Sequence, residues 1–304
     1  VAGQAGPKGD PGIGLNPLQI ATLRWYRANQ AGPSWQVNYN ISCSLFSGQN
    51  LWTAGPGNIG GTVSMIRPSD GAELAVTSLG APAVALAYDG ARVWSADFGA
   101  NAVARIDASN GSEINEIPVG SGPDALAFDG TNIWVALQSD NTVTEITASS
   151  GAVVATYPVG AGPMALAFDG TDMWVANFSG NTIMKLRVSD GTVLGTFPAG
   201  NGPVALAFDG ANMWVLNQSD STVMKLRLTD GSILGTFPTG AGCRLMVFDG
   251  ANIWIGNHDA LTLTKLRASD GANLGAIPLG QVPTGITFDG ANIWVSYLNI
   301  LKKF

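Results

Sequence analysis

The chain has 304 residues, of which only 12 % are charged, and a formal net charge of −7. This acidic balance excludes a protein that binds nucleic acid through clustered Lys and Arg. No apolar run reaches the roughly 18 residues that a membrane-spanning helix needs. Two cysteines, Cys43 and Cys243, are too few for a disulfide framework and lack metal-ligand spacing, so we expect two small buried thiols.

The first residues follow a Gly-X-Y pattern with proline at X or Y. Only glycine fits at the axis of three wound polyproline-II chains, so the pattern predicts a collagen-like segment over residues 1–14. A flexible Gly/Pro linker is the alternative. A collagen-like segment would associate with copies of itself, and the residues that would carry this self-assembly are Gly3, Gly6, Pro7, Lys8, Gly9, Asp10, Pro11 and Gly12.

A short helix is predicted within residues 15–32. Asn16 is a good N-cap, Pro17 suits the first helical position, and the Ala-Gly-Pro run at residues 31–33 ends the helix. A helix of about 13 residues is not stable alone, so its apolar face must pack on the rest of the chain or on a neighbouring chain. The second alternative adds four residues to the self-assembly set, namely Leu15, Leu18, Leu23 and Trp25.

From about residue 33 to the end, one heptapeptide recurs. It reads Phe-Asp-Gly-Ala-Asn-Ile-Trp at residues 248–254 and 288–294, with close variants elsewhere. A fixed period near 40 is typical of repeat architectures. The period is set by the tryptophans Trp52, Trp94, Trp134, Trp174, Trp214, Trp254 and Trp294.

Each repeat reads as four short strands. In residues 201–240 the apolar runs 202–208 and 212–216 flank an Asp-Gly turn, and runs 222–227 and 232–237 flank another. Four antiparallel strands per repeat make one propeller blade. We expect each turn aspartate to bond the local backbone and each tryptophan to fill the wedge between blades.

Two strands have distinctive side chains. The first strand repeats a small residue, which suits the crowded region near a propeller axis; these alanines are Ala85, Ala125, Ala165 and Ala205. The third strand carries alternating cations, which we expect on an outer, solvated edge; they are Lys185, Arg187, Lys225, Arg227, Lys265 and Arg267.

The chain ends predict how the ring closes. The last repeat has room for a third strand but not a fourth, and residues 33–37 precede the first repeat with the spacing of a fourth strand. We therefore predict that this N-terminal strand completes the last blade and removes an exposed sheet edge. The predicted fold is an all-β, seven-bladed β-propeller of four-stranded antiparallel blades over residues 33–304, preceded by the short α-helix and the collagen-like tail.

The unit Gly-Pro-x-Ala-Leu-Ala-Phe-Asp-Gly-x-Asn-x-Trp-Val-Ala-Asn resembles the YVTN/NHL-type propeller repeats of bacterial secreted proteins. The resemblance implies seven blades but leaves function open, because this fold hosts binding modules, scaffolds and a few lyases. The related virginiamycin B lyases use His and Glu with a divalent metal. Here the single histidine, His258, adjoins only Asp259, and no Glu follows Glu145, so we predict no enzyme, no cofactor and no metal.

Propellers commonly bind ligands at one face, and the loops joining the second and third strands are the best candidates. Four residues past each tryptophan stand aromatic and amide side chains, which stack on or hydrogen-bond sugars and peptides. Ordinary loop variation is the alternative. The predicted ring comprises Phe98, Gln138, Phe178, Gln218 and His258, with Pro56 and Leu298 at the remaining positions.

Three functions follow from these features. The collagen-like start favours a non-enzymatic structural protein, outside the cell or on its surface, that associates with itself as a trimeric stalk or filament. The first alternative is a propeller-face binding module for a surface glycan or a peptide. The second, less favoured, is a metal-dependent lyase.

Overall fold

The protein is all-β. A computed structural model describes residues 34–57 and 60–304, and within them it contains 28 strands and one single-turn 3₁₀ helix, Phe98–Ala100. The strands before residue 160 are β1 (Ser34–Gln36), β2 (Cys43–Phe46), β3 (Leu51–Pro56), β4 (Gly61–Ile66), β5 (Glu73–Leu79), β6 (Ala83–Tyr88), β7 (Arg92–Asp97), β8 (Ala102–Asp107), β9 (Glu113–Pro118), β10 (Pro123–Phe128), β11 (Asn132–Leu137), β12 (Thr142–Thr147) and β13 (Val153–Pro158). Those after it are β14 (Pro163–Phe168), β15 (Asp172–Asn177), β16 (Thr182–Arg187), β17 (Val193–Pro198), β18 (Pro203–Phe208), β19 (Asn212–Asn217), β20 (Thr222–Arg227), β21 (Ile233–Pro238), β22 (Cys243–Phe248), β23 (Asn252–Asn257), β24 (Thr262–Arg267), β25 (Asn273–Pro278), β26 (Pro283–Phe288), β27 (Ile293–Tyr297) and β28 (Ile300–Lys303).

The strands form seven four-stranded sheets, which are the predicted blades. In each blade the strands are antiparallel; we call them a, b, c and d from the axis outward, and number the blades 1 to 7 from β2 onward. The four strands follow chain order in blades 1 to 6. The a strands of neighbouring blades contact one another round the whole ring, from β2 and β6 to β26 and β2, so strand a is innermost. The prediction of a seven-bladed all-β propeller is confirmed.

The ring closes as predicted. Strand β1 pairs antiparallel with β28, with Trp35 opposite Leu301, and so supplies strand d of blade 7. The Trp35 ring stacks on that of Trp294, with centroids 4.8 Å apart. The first and last strands of the propeller are therefore held in one sheet, which leaves no gap in the ring.

The turn between strands a and b is built by one aspartate. In blade 5, Asp209 Oδ1 accepts from the backbone N–H of Ala211 and Asn212, at 2.9 and 2.7 Å, which is the predicted Asx-type bond. The other carboxylate oxygen accepts from Trp214 Nε1 at 2.8 Å. One side chain therefore fixes both the turn and the tryptophan that fills the seam, the contact between neighbouring blades.

The tryptophans occupy the seams, as expected. All seven are at most 4 % exposed. Around Trp214 of blade 5 pack the apolar residues of blade 6, including Ile253 and Leu266. In the same blade the Phe237 ring lies 5.7 Å from that of Trp214. Burial of large apolar side chains between stacked sheets is the main force that holds such a ring together.

The expectation of solvated third-strand cations is wrong for half of them. Lys225 is 8 % exposed; its Nζ donates to the carbonyl of Ala268 in blade 6 at 2.6 Å and lies 5.2 Å from the Trp214 ring centroid. Lys185 reaches Leu228 of the next blade in the same way, at 3.2 Å. Lys225 is buried and Lys185 half-buried because the next blade covers them. We call this contact, from a strand c cation to the next blade's cd turn, the clasp.

The alternate cations behave as expected. Arg227 lies on the same strand face as Lys225, two residues nearer the cd turn. Its side chain is exposed and forms an ion pair with Asp230, which is exposed too. Both cysteines are free: Cys243 is buried and Cys43 is half-buried.

The collagen-like segment, the predicted helix and all the self-assembly residues, from Gly3 to Trp25, lie outside the described residues. Their boundaries, 1–14 and 15–32, stay predictions. In the described part of the chain there is no helix with the length and hydropathy required to cross a bilayer.

Candidate binding site at the channel mouth

The two ends of the propeller carry different loops. Because the strands of a blade alternate in direction, the bc loops and the connections from strand d to the next strand a share one end, which we call the bc face. The ab and cd turns share the opposite end, the ab face.

The predicted ring of loop residues lies on the bc face. The backbone N–H of Gln138, Phe178, Gln218 and His258 each donates to the carbonyl of the glycine before strand a of the same blade, at 2.8 to 2.9 Å. This bond places these four residues at the start of their bc loops, and Phe98 directly follows strand β7 at the equivalent position. The structure therefore brings these residues to one face, while ligand binding by them stays a prediction.

The two phenylalanines of the ring lean onto the following blade. A Cβ on Gly202 would lie 2.9 Å from the Phe178 ring, and one on Gly122 would lie 3.2 Å from the Phe98 ring. Phe98 keeps 37 % of its surface exposed. These rings thus cover the contact between blades at the bc face, where Phe98 keeps part of its surface accessible.

A channel of about 310 Å³ runs along the axis and is lined by strand a of every blade. Strand a starts at the bc face, so its first lining residue is nearest the channel mouth. This first tier consists of Ser42, Val84, Asp124, Met164, Val204, Arg244 and Thr284. The second tier holds the predicted small residues Ala85, Ala125, Ala165 and Ala205, and the third is mainly Leu, Met and Ile.

Arg244, in the first tier of blade 6, presents its guanidinium to solvent. With the Gln218 amide oriented so that its oxygen faces the arginine, that oxygen accepts from Nε at 2.8 Å and from Nη2 at 3.2 Å. No acid in the described part of the chain forms an ion pair with Arg244. A planar guanidinium held by one neutral amide keeps donors free for an anionic ligand.

Asp124 stands three blades away in the same tier. Its carboxylate is half-buried and has no hydrogen bond or ion pair among the described residues. Burial raises the pKa of Asp124 to about 6. The mouth therefore carries one acid and one base that do not neutralise each other.

Hydroxyl groups lie beside Arg244 on the next two blades. Thr284 and Ser42 belong to the same tier, and Ser44 lines the channel below them. The Ser44 Oγ atom is buried without a hydrogen-bond partner. A Cβ on Gly285 would come within 2.9 Å of it, so the glycine keeps the space beside this hydroxyl open.

The side chain of His258, the last ring residue, bonds only its neighbour Asp259. Its Nδ1 lies 2.6 Å from Asp259 Oδ1, and the side chain is 40 % exposed. Nowhere in residues 34–57 and 60–304 do three His, Cys, Asp or Glu side chains come together as a metal-ligand set.

The sequence analysis missed Asp124 and Arg244. Both occupy the position after Gly-Pro or Gly-Cys at the start of strand a, where Val204 and Met164 are apolar. Aligning the repeats at this position reveals one acid and one base, and the direction of strand a then places them at the mouth.

A solved structure described as streptogramin B lyase superposes on 90 % of this chain and 96 % of its own, with a TM-score of 0.74 and 18 % sequence identity. At that identity the likeness concerns the fold alone. No curated protein matches the chain.

A family model described as outer membrane protein assembly factor BamB matches residues 42–274, most of the propeller. This finding overturns the collagen-tailed structural protein as the main function, since the matched family is one of assembly factors. Self-association of the chain stays an untested prediction. Because the match covers more than half of the chain, this protein belongs to the BamB-type propeller family.

Proposed function

We propose that the chain is a binding module that holds a segment of another polypeptide at the channel mouth on the bc face. The proposal depends above all on one observation: Arg244 and Asp124 share the first tier of the channel, and neither is paired with an opposite charge. Unpaired charges around a concave, mainly apolar channel are typical of a ligand site.

The Arg244 side of the mouth suits a carboxylate. Its free guanidinium donors share the mouth with the hydroxyl of Ser42, so an acidic side chain or a chain end could accept several hydrogen bonds at once, while the Thr284 hydroxyl donates to Ser296. Gln218 keeps the guanidinium plane in place from the neighbouring blade.

The opposite side suits an apolar or basic residue. Met164 and Val204 offer apolar surface between the two charges, and Asp124 offers an acceptor to an ammonium or guanidinium group. Acid, base and apolar surface in one mouth match the mixed chemistry of a polypeptide better than that of a neutral glycan.

The family supports a protein ligand, since its description is of an assembly factor for outer membrane proteins. We accordingly propose that the protein works outside the cytoplasm, in the cell envelope or beyond it, and without catalysis. The likeness to the lyase structure is a likeness of fold. Among the described residues, Asp259 is the only titratable side chain that His258 bonds.

The test is an array of synthetic peptides with acidic, basic, mixed-charge and neutral sequences, probed beside a glycan array. We expect mixed-charge peptides to bind. Arg244→Gln should weaken them about 10- to 100-fold, because a hydrogen bond to a charged group contributes roughly 1.5–3 kcal/mol. Asp124→Asn should weaken the peptides that carry a basic residue.

Arg267→Gln is the matched control. It removes the same charge from the ab face, where Arg267 bonds only Asp270, at 3.0 Å. Binding of glycans but no peptides, or equal peptide binding by Arg244→Gln and the wild type, would contradict the proposal.

A further inference from the structure

The seams between blades are filled in a recurring way. At the seam of blades 5 and 6, Lys225 makes the clasp to Ala268, and the Phe237 ring lies against Gly271 of the next cd turn. Asp209, in the ab turn, bonds the indole of Trp214. Three side chains of one blade thus fill the outer part of the seam near the ab face.

At the seam of blades 1 and 2 all three side chains differ. Opposite Trp52 stands Met65 instead of a cation, and opposite Val63 stands Thr77 instead of an aromatic residue. The indole of Trp52 bonds the hydroxyl of Ser47, at 3.1 Å, instead of a carboxylate. Trp52, Met65 and Thr77 are all buried, so the seam is packed, but blade 1 supplies neither a cation nor an aromatic ring to it.

At the same seam a groove of about 610 Å³ opens on the ab face, the opposite end from the channel mouth. It lies between the ab turn of blade 1 and the turns of blade 2. Its polar lining includes Gln49, Asn50, Asp107 and Ser109, and its apolar lining includes Tyr88 and Ile114.

The acceptors of the missing clasp remain. In blade 6 the carbonyls of Ala268 and Ser269 receive Lys225, and their equivalents in blade 2 belong to Ala108 and Ser109. No donor in the described part of the chain reaches either of these two carbonyl oxygens. The seat for an ammonium group is therefore present, without an ammonium from this chain.

The charge around the seat favours a cation. Asp107 lies in the groove, and hydrogen bonds from Ser109 hold the pKa of its carboxyl below the usual value, so it stays ionised. Arg92 also lines the groove and contributes to the lowered pKa of Asp107, but its Nη1 is directed to Asp89 at 3.4 Å and to Ala148 of blade 3 at 3.3 Å.

We propose that the groove between blades 1 and 2 receives a lysine side chain of another polypeptide. Its ammonium would sit at the position equivalent to that of the Lys225 ammonium at the seam of blades 5 and 6. The alkyl stem packs on Tyr88 and Ile114, and the ammonium donates to the carbonyls of Ala108 and Ser109 beside Asp107. The site is separate from the channel mouth and does not depend on its function.

The experiment is a titration of the ¹⁵N-labelled protein with n-butylammonium chloride, which carries a lysine-like head and stem. We expect saturable amide shifts at residues 108–112 and at Gln49, and no such shifts with n-butanol, its neutral counterpart. A peptide with one lysine should reproduce the shifts, and its norleucine analogue should not. Equal shifts with n-butanol would overturn the proposal.

Two variants at Met65 sharpen the result. Met65→Lys should fill the seat from within and abolish the shifts, whereas Met65→Leu should leave them unchanged. Saturable binding to Met65→Lys at wild-type strength would overturn the proposal. If Met65→Lys does not fold, Asp107→Asn decides. Two- to fivefold weaker binding of n-butylammonium, the loss expected for a surface charge contact, would support the proposal. Unchanged binding would refute it.

Discussion

At the scale of single residues, Asp97 departs from its repeat. It ends strand β7 at the position where blades 4, 5 and 6 have Asn177, Asn217 and Asn257, and it is fully buried. Ser95 donates to Oδ1 at 3.0 Å, but Oδ2 has no partner. Burial is the main cause that raises the pKa of Asp97 to about 7, from 3.8.

This shift makes stability depend on pH. Since the folded state holds the proton more tightly than the unfolded chain, the contribution of Asp97 is complete below about pH 3.8 and is lost as pH rises to about 7. Three pKa units correspond to about 4 kcal/mol as an upper bound. We expect Asp97→Asn to raise the free energy of unfolding at pH 8 by up to that amount, and to have little effect at pH 4.

Urea unfolding of both proteins at pH 4, 6 and 8 measures this difference. Asn217→Asp is the matched control, because it places the same carboxylate at the same position of blade 5, and it should lose stability at pH 8. An Asp97→Asn variant that gains no stability between pH 4 and pH 8 relative to the wild type would refute the assignment.

The sequence predicts some residue roles and misses others for a physical reason. The Asx-type bond of Asp209 is local, so the Asp-Gly pattern is enough to predict it. The burial of Lys225 depends on the neighbouring blade, which no local pattern describes. Arg244 and Asp124 were missed because their significance depends on facing one channel, which requires the ring to be assembled first.

At the scale of elements, the clasp joins strand c of one blade to the cd turn of the next. The strand bounds themselves were predictable: run 222–227 is strand β20, and the period-2 pattern with Asp-Gly turns gave the other three within about one residue. The pattern could not predict which of the two cations on one face of β20, Lys225 or Arg227, is covered by the next blade.

We expect Lys225→Met to lower the free energy of unfolding by about 2–4 kcal/mol. Methionine keeps the apolar stem, as Met65 does in blade 1, but leaves the Ala268 carbonyl without its donor and Asp209, 3.6 Å from Nζ, without its cation. Breaking a buried charge pair from one side costs this much because the remaining charge is uncompensated.

Arg227→Met is the control, since it removes the exposed pair with Asp230 from the same strand and should cost less than about 1 kcal/mol. Both variants are compared by urea unfolding at neutral pH. Equal losses would mean that the clasp adds nothing beyond an exposed ion pair.

At the scale of the whole molecule, the period of the tryptophans and the missing fourth strand predicted both the number of blades and the closure. This succeeded because repeats that stack on their neighbours form a ring only if the ends meet, and the sequence shows which strand is lacking. The seam of blades 1 and 2 shows the limit. Its groove is lined by turns of two different blades, so no pattern within one repeat describes it.

Closure of the propeller depends on the short strand β1 and on the indole ring of Trp35. Strand β1 has only three paired residues, so we expect much of its hold to come from Trp35, which stacks on Trp294 and covers Gly71 of blade 1. Trp35→Ala should therefore lower the free energy of unfolding by about 2–3 kcal/mol, somewhat less than for a fully buried tryptophan because Trp35 is half-buried. It should also expose the backbone of residues 34–42 and 298–304 to protease, since β28 becomes an edge strand once β1 detaches.

Trp35→Phe keeps an aromatic ring on Trp294 and should retain most of the stability and the protection. Limited proteolysis with identification of the cut sites, together with urea unfolding, separates local opening from global unfolding. If Trp35→Ala is cut first in the middle of the propeller and not near residues 34–42 or 298–304, closure does not depend on the Trp35 side chain. Cuts confined to those two segments would show that the N-terminal strand is what holds the seven blades in a circle.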